Sequence, residues 1–381
     1  MQRFDFLDTN KDKNNREFLG IMLEIKITKA DQLKEKPKDE SKLGFGKIFT
    51  DHMFMMKYDK KKGGWYEAEI KPYSNISLDP AACGLHYGQL IFEGLKCYHG
   101  KKGLNLFRPM KNLERMDNSA KRMCMAPLDK ETIMKGLKEL IKIDREWVPK
   151  SLGTSLYIRP TMIATEPFLG VHPSEEYLFY IILCPVGAYY ASGFAPVKIM
   201  VEDKYVRATL GGVGDAKVAG NYAASLKSAE EAQEKGFTQV LWLDARERKY
   251  IEEVGTMNMM FVFKNGDEIE VTTSPLTGSI LPGVTRDSVL QLLKHWGIKA
   301  TERMISIDEV IEKANNGQLV ESFGTGTAAV ITPVGSLNYK DKNYEINGFK
   351  IGELTQKLYD ELTAIQYCEK ENPFGWIEMI E

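Results

Sequence analysis

Cysteine is scarce, and it is not spaced for pairing or for metal. The five cysteines are Cys83, Cys97, Cys124, Cys184 and Cys368, an odd number with no C-x-x-C among them. That pattern argues against a disulfide framework or a zinc ribbon, and it fits a reducing, cytoplasmic location. The five histidines, His52, His86, His99, His172 and His295, form no H-E-x-x-H pair and no other ligand spacing, so no metal site is expected. An excess of either charge is also missing. Lys and Arg number 51 against 53 Asp and Glu, for a net charge of −2, which calls for neither nucleic acid nor an anionic membrane as partner. Long apolar runs are absent too. "YLFYIILCPVGAYY" (177–190) is broken by Pro185 after eight residues, far short of the roughly 20 needed to cross a bilayer. It reads as a buried strand. The N-terminus is polar and carries acids from the start, unlike a secretory or transit signal.

What is present suits a globular protein. The 381 residues, 43% hydrophobic and 27% charged, suffice for two domains with separate cores, and no internal repeat is visible. Residues 1–42, ending in "LKEKPKDESK", read as a poorly structured leader. Residues 43–186 read as a small N-terminal domain, 187–198 as a Gly- and Pro-punctuated connector, and 199–381 as a larger domain. Asp129 is placed to cap a helix that carries Ile133, Leu137, Leu140 and Ile141 on one face. "NYAASLKSAEEAQEKGF" reads as one helix stopped at Gly236, and "TMNMMFVFKNGDEIEVTT" as a hairpin turning at Asn-Gly. A further helix begins in "LPGVTRDSVLQLLKHWG".

Two glycine-rich stretches carry the chemistry. "GGVGDAKVAGNY" (211–222) sets Lys217 among small residues, either as an incidental loop lysine or as an amine used chemically. It is not a P-loop, since Lys217 lies between Ala216 and Val218 rather than between Gly and Ser or Thr. "ESFGTGTAAV" (321–330) imitates a dinucleotide fingerprint, but Pro333 comes too soon for the long helix that fingerprint opens. Both the 324–328 turn and the helix start at Gly283, Val284 and Thr285 would present free backbone N–H groups to an anion. Two such nests without a Walker lysine suggest one phosphate and one carboxylate. A lysine among small residues, a phosphate nest and Tyr222 five positions on suggest pyridoxal 5′-phosphate. That cofactor forms a Schiff base with an unprotonated amine and requires a carboxylate at its pyridine nitrogen, for which Glu253 in "YIEEVGTMN" is a candidate.

"GDAKVAGNYAAS", "EEVGTMNMMFVF", "GSILPGVTRDSV" and "ESFGTGTAAVITPV" resemble, in order and spacing, the branched-chain amino acid aminotransferases of fold type IV. "FGKIFTDHMFMM", "LHYGQLIFEGLKCY", "LFRPMKNLERM", "SLYIRP" and "EPFLGV" match upstream, so the resemblance runs from about residue 43 to the C-terminus. It implies an α+β fold, with a small N-terminal α/β domain and a larger C-terminal domain built on a mixed, barrel-like sheet with flanking helices. It also implies reversible transamination of Leu, Ile and Val with 2-oxoglutarate, and a homodimer with shared active sites.

By the same resemblance Lys217 carries the cofactor and shuttles the proton. Glu253 pairs with the pyridine nitrogen and Tyr222 with the ring oxygen. Arg115, Val284, Thr285 and Thr327 hold the phosphate, and Arg207 is a cofactor-side arginine. The N–H groups of Thr327 and Ala328 take the substrate carboxylate. Phe45, Phe92, Tyr157, Tyr222 and Thr256 line the aliphatic pocket, and Arg159 accepts the distal carboxylate of glutamate. Tyr87, Leu169 and Val171 match residues lent across a dimer interface. The redox C-x-x-C of some mammalian relatives falls here at Ala329 and Thr332, so no such thiol regulation is expected.

Taken singly, these residues have plainer explanations: Glu253 as a strand-end carboxylate, Arg115 as an exposed helix arginine, Tyr157 and Phe92 as packing. Other readings are a different fold type IV enzyme, such as a D-amino acid aminotransferase or an aminodeoxychorismate lyase, and a dinucleotide-binding protein built on "GTGTAA".

Overall fold

The apolar run expected as a buried strand lies in mid-sheet as Glu176–Val186, paired on both sides. Its alternate residues serve two cores. Phe179, Ile181 and Leu183 join the main core of the first domain, and Leu178, Tyr180 and Ile182 join a smaller cluster on the opposite face. Burial on both faces removes the polar alternation of a half-exposed strand. The computed structural model describes residues 22–187, 189 and 193–381. The first half of the expected leader and most of the connector between Gly187 and Gly193 lie outside the described residues.

The first sheet contains β1 (Lys26–Ile27), β2 (His52–Asp59), β3 (Gly64–Pro72), β4 (Leu90–Phe92), β5 (Leu95–Gly100), β6 (Gly103–Phe107), β7 (Ser155–Ala164) and β8 (Glu176–Val186). They lie in the order β1-β3-β2-β8-β7-β5-β6, with β4 beside β7. The second sheet contains β9 (Val197–Glu202), β10 (Gln239–Leu243), β11 (Ile251–Val254), β12 (Met257–Asn265), β13 (Glu268–Thr273), β14 (Lys299–Glu302), β15 (Leu319–Gly326), β16 (Val330–Tyr339) and β17 (Lys342–Glu345). Its order runs β11-β10-β9-β16-β15-β12, and β12 pairs back with β11, so six strands close into a barrel. Leu241, Val254, Phe261 and Leu337 pack in one of its cores. Met260, Val262 and Phe323 pack with Val289, Leu293, Leu358 and Leu362 of the helices Val284–His295 and Glu353–Gln366. This is the expected mixed, barrel-like domain with flanking helices.

Three details differ from expectation. Residues 22–42 pack onto the first domain instead of forming a loose leader. β1 pairs parallel with β3, the Ala30 N–H donates to His52 Nε2 at 2.9 Å, and the Lys34 N–H donates to Asp51 Oδ1 at 2.7 Å. Their charged side chains predict solvation, but their backbone donors find acceptors in the core domain. At the other end β18 (Ile377–Met379) leaves the large domain and pairs antiparallel with β6. The single helix expected after Asn221 is two, Ala219–Ala223 and Leu226–Glu234. Ser225 Oγ donates to the Tyr222 carbonyl at 2.8 Å, competing with helix continuation at the break. The "GTGTAA" stretch is the turn of the β15–β16 hairpin, not a strand-to-helix turn, which removes the dinucleotide reading. Among the described residues no helix is long and apolar enough to cross a membrane.

Candidate active site

A cavity of about 360 Å³ opens between the two domains. Lys217 reaches it from a turn held by the first domain. Its N–H donates to Ser119 Oγ at 2.9 Å, and its carbonyl accepts the Phe92 N–H at 3.1 Å. The small residues before the lysine have a steric cause: a Cβ at Gly214 would overlap the Ser279 carbonyl. The half-buried ammonium donates to Tyr222 Oη at 2.6 Å, and its Nζ lies 5.0 Å from the centroid of the Phe92 ring. Lys217 thus lines the cavity together with Arg115 and Arg159.

Glu253 lies in the cavity wall on β11, buried, with its Oε1 accepting from Arg207 Nη2 at 2.9 Å and from the Leu281 N–H at 2.6 Å. Burial pushes its carboxyl above the usual range, and Arg207 only partly offsets this. Arg207 does not line this cavity. It stands behind Glu253 and is anchored on the carbonyls of Gly214 and Ser279 at 2.9 and 3.2 Å.

One corner of the cavity is built by Arg115 and the start of the helix Val284–His295. No side chain caps that helix, so the N–H groups of its first turn have no partner within it. Arg115 is buried and donates through Nε and Nη2 to both oxygens of Glu93, at 2.7 and 2.8 Å, and through Nη1 to the Pro282 carbonyl at 3.1 Å. Burial opposes both charges of this pair. Their mutual attraction prevails, holding Glu93 below and Arg115 above their ordinary values. Glu93 was not anticipated. An acid between Phe92 and Gly94 is the only local signal, and its partner lies 22 residues away. Asn258, which donates to the Leu281 carbonyl at 2.9 Å beside Glu253, was also missed.

The β15–β16 turn brings Thr327 and Ala328 to the same cavity, and Val284, Thr285 and Thr256 line it as well. Opposite them, Phe45 packs edge-on to Tyr157 at 4.9 Å between centroids. Arg159 donates to Tyr157 Oη at 3.0 Å and lies 4.7 Å from the centroid of the Phe92 ring, with its buried Nε unpartnered. Tyr87, Leu169 and Val171 do not reach this cavity. They are exposed, Tyr87 at the end of the helix Cys83–Tyr87 and Leu169 and Val171 on a neighbouring loop, where Tyr87 Oη donates to the Leu169 carbonyl. A corner formed by Arg115 and an uncapped helix start, a lysine and a buried carboxylate around one space fit a phosphorylated pyridine aldehyde.

Comparison with known proteins agrees with this geometry. Residues 90–337 match the family described as Amino-transferase class IV. The chain is 54% identical over 357 residues to branched-chain-amino-acid aminotransferase 2 of Bacillus subtilis (strain 168), covering 93% of this chain and 96% of the relative. It is 47% identical to the branched-chain-amino-acid aminotransferase of Mycolicibacterium smegmatis, over 88% of this chain and 91% of that one. Among solved structures it resembles the Escherichia coli branched-chain amino acid aminotransferase with a TM-score of 0.71 at 27% identity, covering 87% of this chain and 99% of that chain. The branched-chain aminotransferase of the thermophilic archaeon Thermoproteus uzoniensis, solved with norvaline, gives 0.69 at 25% identity, covering 87% and 100%. A further branched-chain amino acid aminotransferase, solved with pyridoxamine 5′-phosphate, gives the same score and identity over 86% of this chain and 98% of that one.

Proposed function

The chain belongs to the branched-chain amino acid aminotransferases of the class IV amino-transferases, and from that premise we propose that it exchanges amino groups between L-leucine, L-isoleucine or L-valine and 2-oxoglutarate. It is a pyridoxal 5′-phosphate-dependent transaminase. The observation that carries the finer reading is Lys217 Nζ, 2.6 Å from Tyr222 Oη, between the Glu253 carboxylate and the Arg115 corner. When bound, the cofactor supplies an aldehyde that takes the amine and a ring that accepts electrons from the α carbon.

In this reading Lys217 Nζ would hold the cofactor, and its free amine would move the proton at the α carbon. Tyr222 Oη would hydrogen-bond the ring oxygen. Glu253, kept in place by Arg207 and the Leu281 N–H, holds the proton on the ring nitrogen. Arg115, the Val284 and Thr285 N–H groups and the Thr327 hydroxyl bind the phosphate. The Thr327 and Ala328 N–H groups take the α-carboxylate, while Phe45, Phe92, Tyr157 and Thr256 exclude water around an aliphatic side chain. Arg159, with a free buried Nε, receives the second carboxylate of glutamate, so one pocket serves both partners. Tyr87, Leu169 and Val171 close the pocket of a second copy in a homodimer.

The test is direct. Protein saturated with pyridoxal 5′-phosphate should absorb in the visible, and borohydride should fix the cofactor on the peptide containing Lys217. L-Leucine with 2-oxoglutarate should yield glutamate, and Lys217→Ala should lower that rate by roughly 10²–10⁴-fold. An adduct on another residue would remove the assignment. Turnover of D-alanine in place of the three L-amino acids would favour a D-amino acid aminotransferase.

A further inference from the structure

Lys96 is a buried cation with no ion pair among the described residues. It lies on β5, 7% exposed, and its Nζ donates 2.7 Å to the Ala328 carbonyl. It therefore reaches from the first domain to the back of the turn whose front faces the active-site cavity. Behind that turn is a second, smaller cavity of about 100 Å³, which shares Ala328 and Tyr189 with the first. Among the described residues, its titratable lining is Lys96, Tyr98, Tyr189, Tyr359 and Tyr367, with no Asp or Glu. Tyr157 is the cross-strand neighbour of Lys96 on β7. Burial pulls the Lys96 pKa down to about 8 and pushes all four lining tyrosines up. A buried charge without a counter-ion is costly, and it persists where something else uses the charge.

The turn itself needs support. Val330, two residues beyond Ala328, has φ of +63°, a left-handed conformation that a β-branched residue rarely adopts. Such strain survives only where the surroundings hold it. The Lys96 hydrogen bond ties down the carbonyl immediately behind the Thr327 and Ala328 N–H groups.

We propose that Lys96 is a positioning residue for the substrate-carboxylate site, fixing the Ala328 turn and placing a positive charge behind the N–H groups that receive the carboxylate. The inference rests on the reading of the Thr327–Ala328 turn as that site. Lys96 touches neither substrate nor cofactor. It acts through the peptide, so its contribution falls on carboxylate affinity, and that affinity falls as Lys96 loses its proton.

The probe is 4-methylvalerate, a carboxylate that lacks the reacting amine, titrated by calorimetry into the cofactor-loaded protein. Lys96→Met should weaken its binding about tenfold, as expected for a unit charge removed from a few ångströms away in a poorly screened site. Lys96→Arg should restore it. The KM values for L-leucine and 2-oxoglutarate should rise in Lys96→Met by more than kcat falls. In the wild type, 4-methylvalerate affinity should decline as pH rises through about 8, and in Lys96→Arg that decline should vanish. Equal affinity in Lys96→Met and the wild type, or the same pH decline in Lys96→Arg, would overturn the proposal. If the wild type binds no 4-methylvalerate at any pH, the carboxylate site is itself misplaced and the role of Lys96 falls with it.

Discussion

Glu93 is fully buried, yet both of its oxygens are occupied. Oε1 accepts from Arg115 Nε, and Oε2 accepts from Arg115 Nη2, Asn112 Nδ2 and the Gly94 N–H, at 2.7 to 3.0 Å. A buried ion pair of this kind adds little net stability over an apolar pair, but losing one partner strands the other charge. What the pair provides is aim: two parallel hydrogen bonds fix the plane of the guanidinium, and Nη1 is pinned on Pro282 next to the uncapped helix start. Glu93→Leu should therefore cost about 3–5 kcal/mol, read as a lowered unfolding midpoint, because Arg115 is left uncompensated. Glu93→Gln keeps the shape and should mainly weaken pyridoxal 5′-phosphate binding, measured by titrating the apoprotein. If Glu93→Gln binds the cofactor as tightly as the wild type, Arg115 needs no such orientation. Residues of this sort stay hidden in a sequence. Lys217 stood out because its immediate neighbours are small, whereas the role of Glu93 depends on a helix that meets it only in the folded chain.

Among the elements, the helix Lys130–Ile143 shows how local and distant constraints divide. Asp129 caps it by accepting the Thr132 N–H at 3.0 Å, and Ile133, Leu137, Leu140 and Ile141 are buried, as their spacing predicts. Gly136, in mid-helix, would seem a weak point that Ala should improve by about 1 kcal/mol. The structure reverses the sign. A Cβ at Gly136 would overlap the ring of Phe54, itself buried and packed edge-on to Phe179. Gly136→Ala should destabilise by about 1–3 kcal/mol through overpacking. Phe54→Leu in the same chain should recover part of that loss, and denaturant titration of the two variants checks both. A more stable Gly136→Ala protein would show that the helix can shift away.

The same division governs what was legible. The 130–143 helix, the 257–273 hairpin and the strand 176–186 are written in short-range periodicity, which a sequence displays directly. Barrel closure by β11 on β12, the return of β18 to β6 and the docking of residues 22–42 are not. Each depends on partners that only the assembled fold supplies, such as Phe107 opposite Ile377, or His52 accepting from Ala30. In the candidate active site, the residues found by motif all line or back the cavity, apart from Tyr87, Leu169 and Val171. Glu93 and Asn258, which orient or complete the others, carried no signal of their own.

At the scale of the whole molecule, those three surface residues become a prediction about assembly. Leu85, Tyr87, Phe168, Leu169 and Val171 are large apolar side chains exposed on the helix Cys83–Tyr87 and the loop 168–171, joined by the Tyr87–Leu169 hydrogen bond, with Val171 86% exposed. A cluster of this kind on a soluble surface marks a contact face, and a two-fold pairing is the commonest way to cover one. The protein should therefore travel as a dimer of about twice 43.2 kDa in light scattering. Leu169→Asp combined with Val171→Asp should shift it to monomer. The cofactor corners are built within one chain, so the monomer should still bind pyridoxal 5′-phosphate. Its turnover of L-leucine should fall, because the outer wall of the aliphatic pocket would be missing. A monomeric wild type with full leucine activity would mean that each chain closes its own pocket and that these residues face solvent.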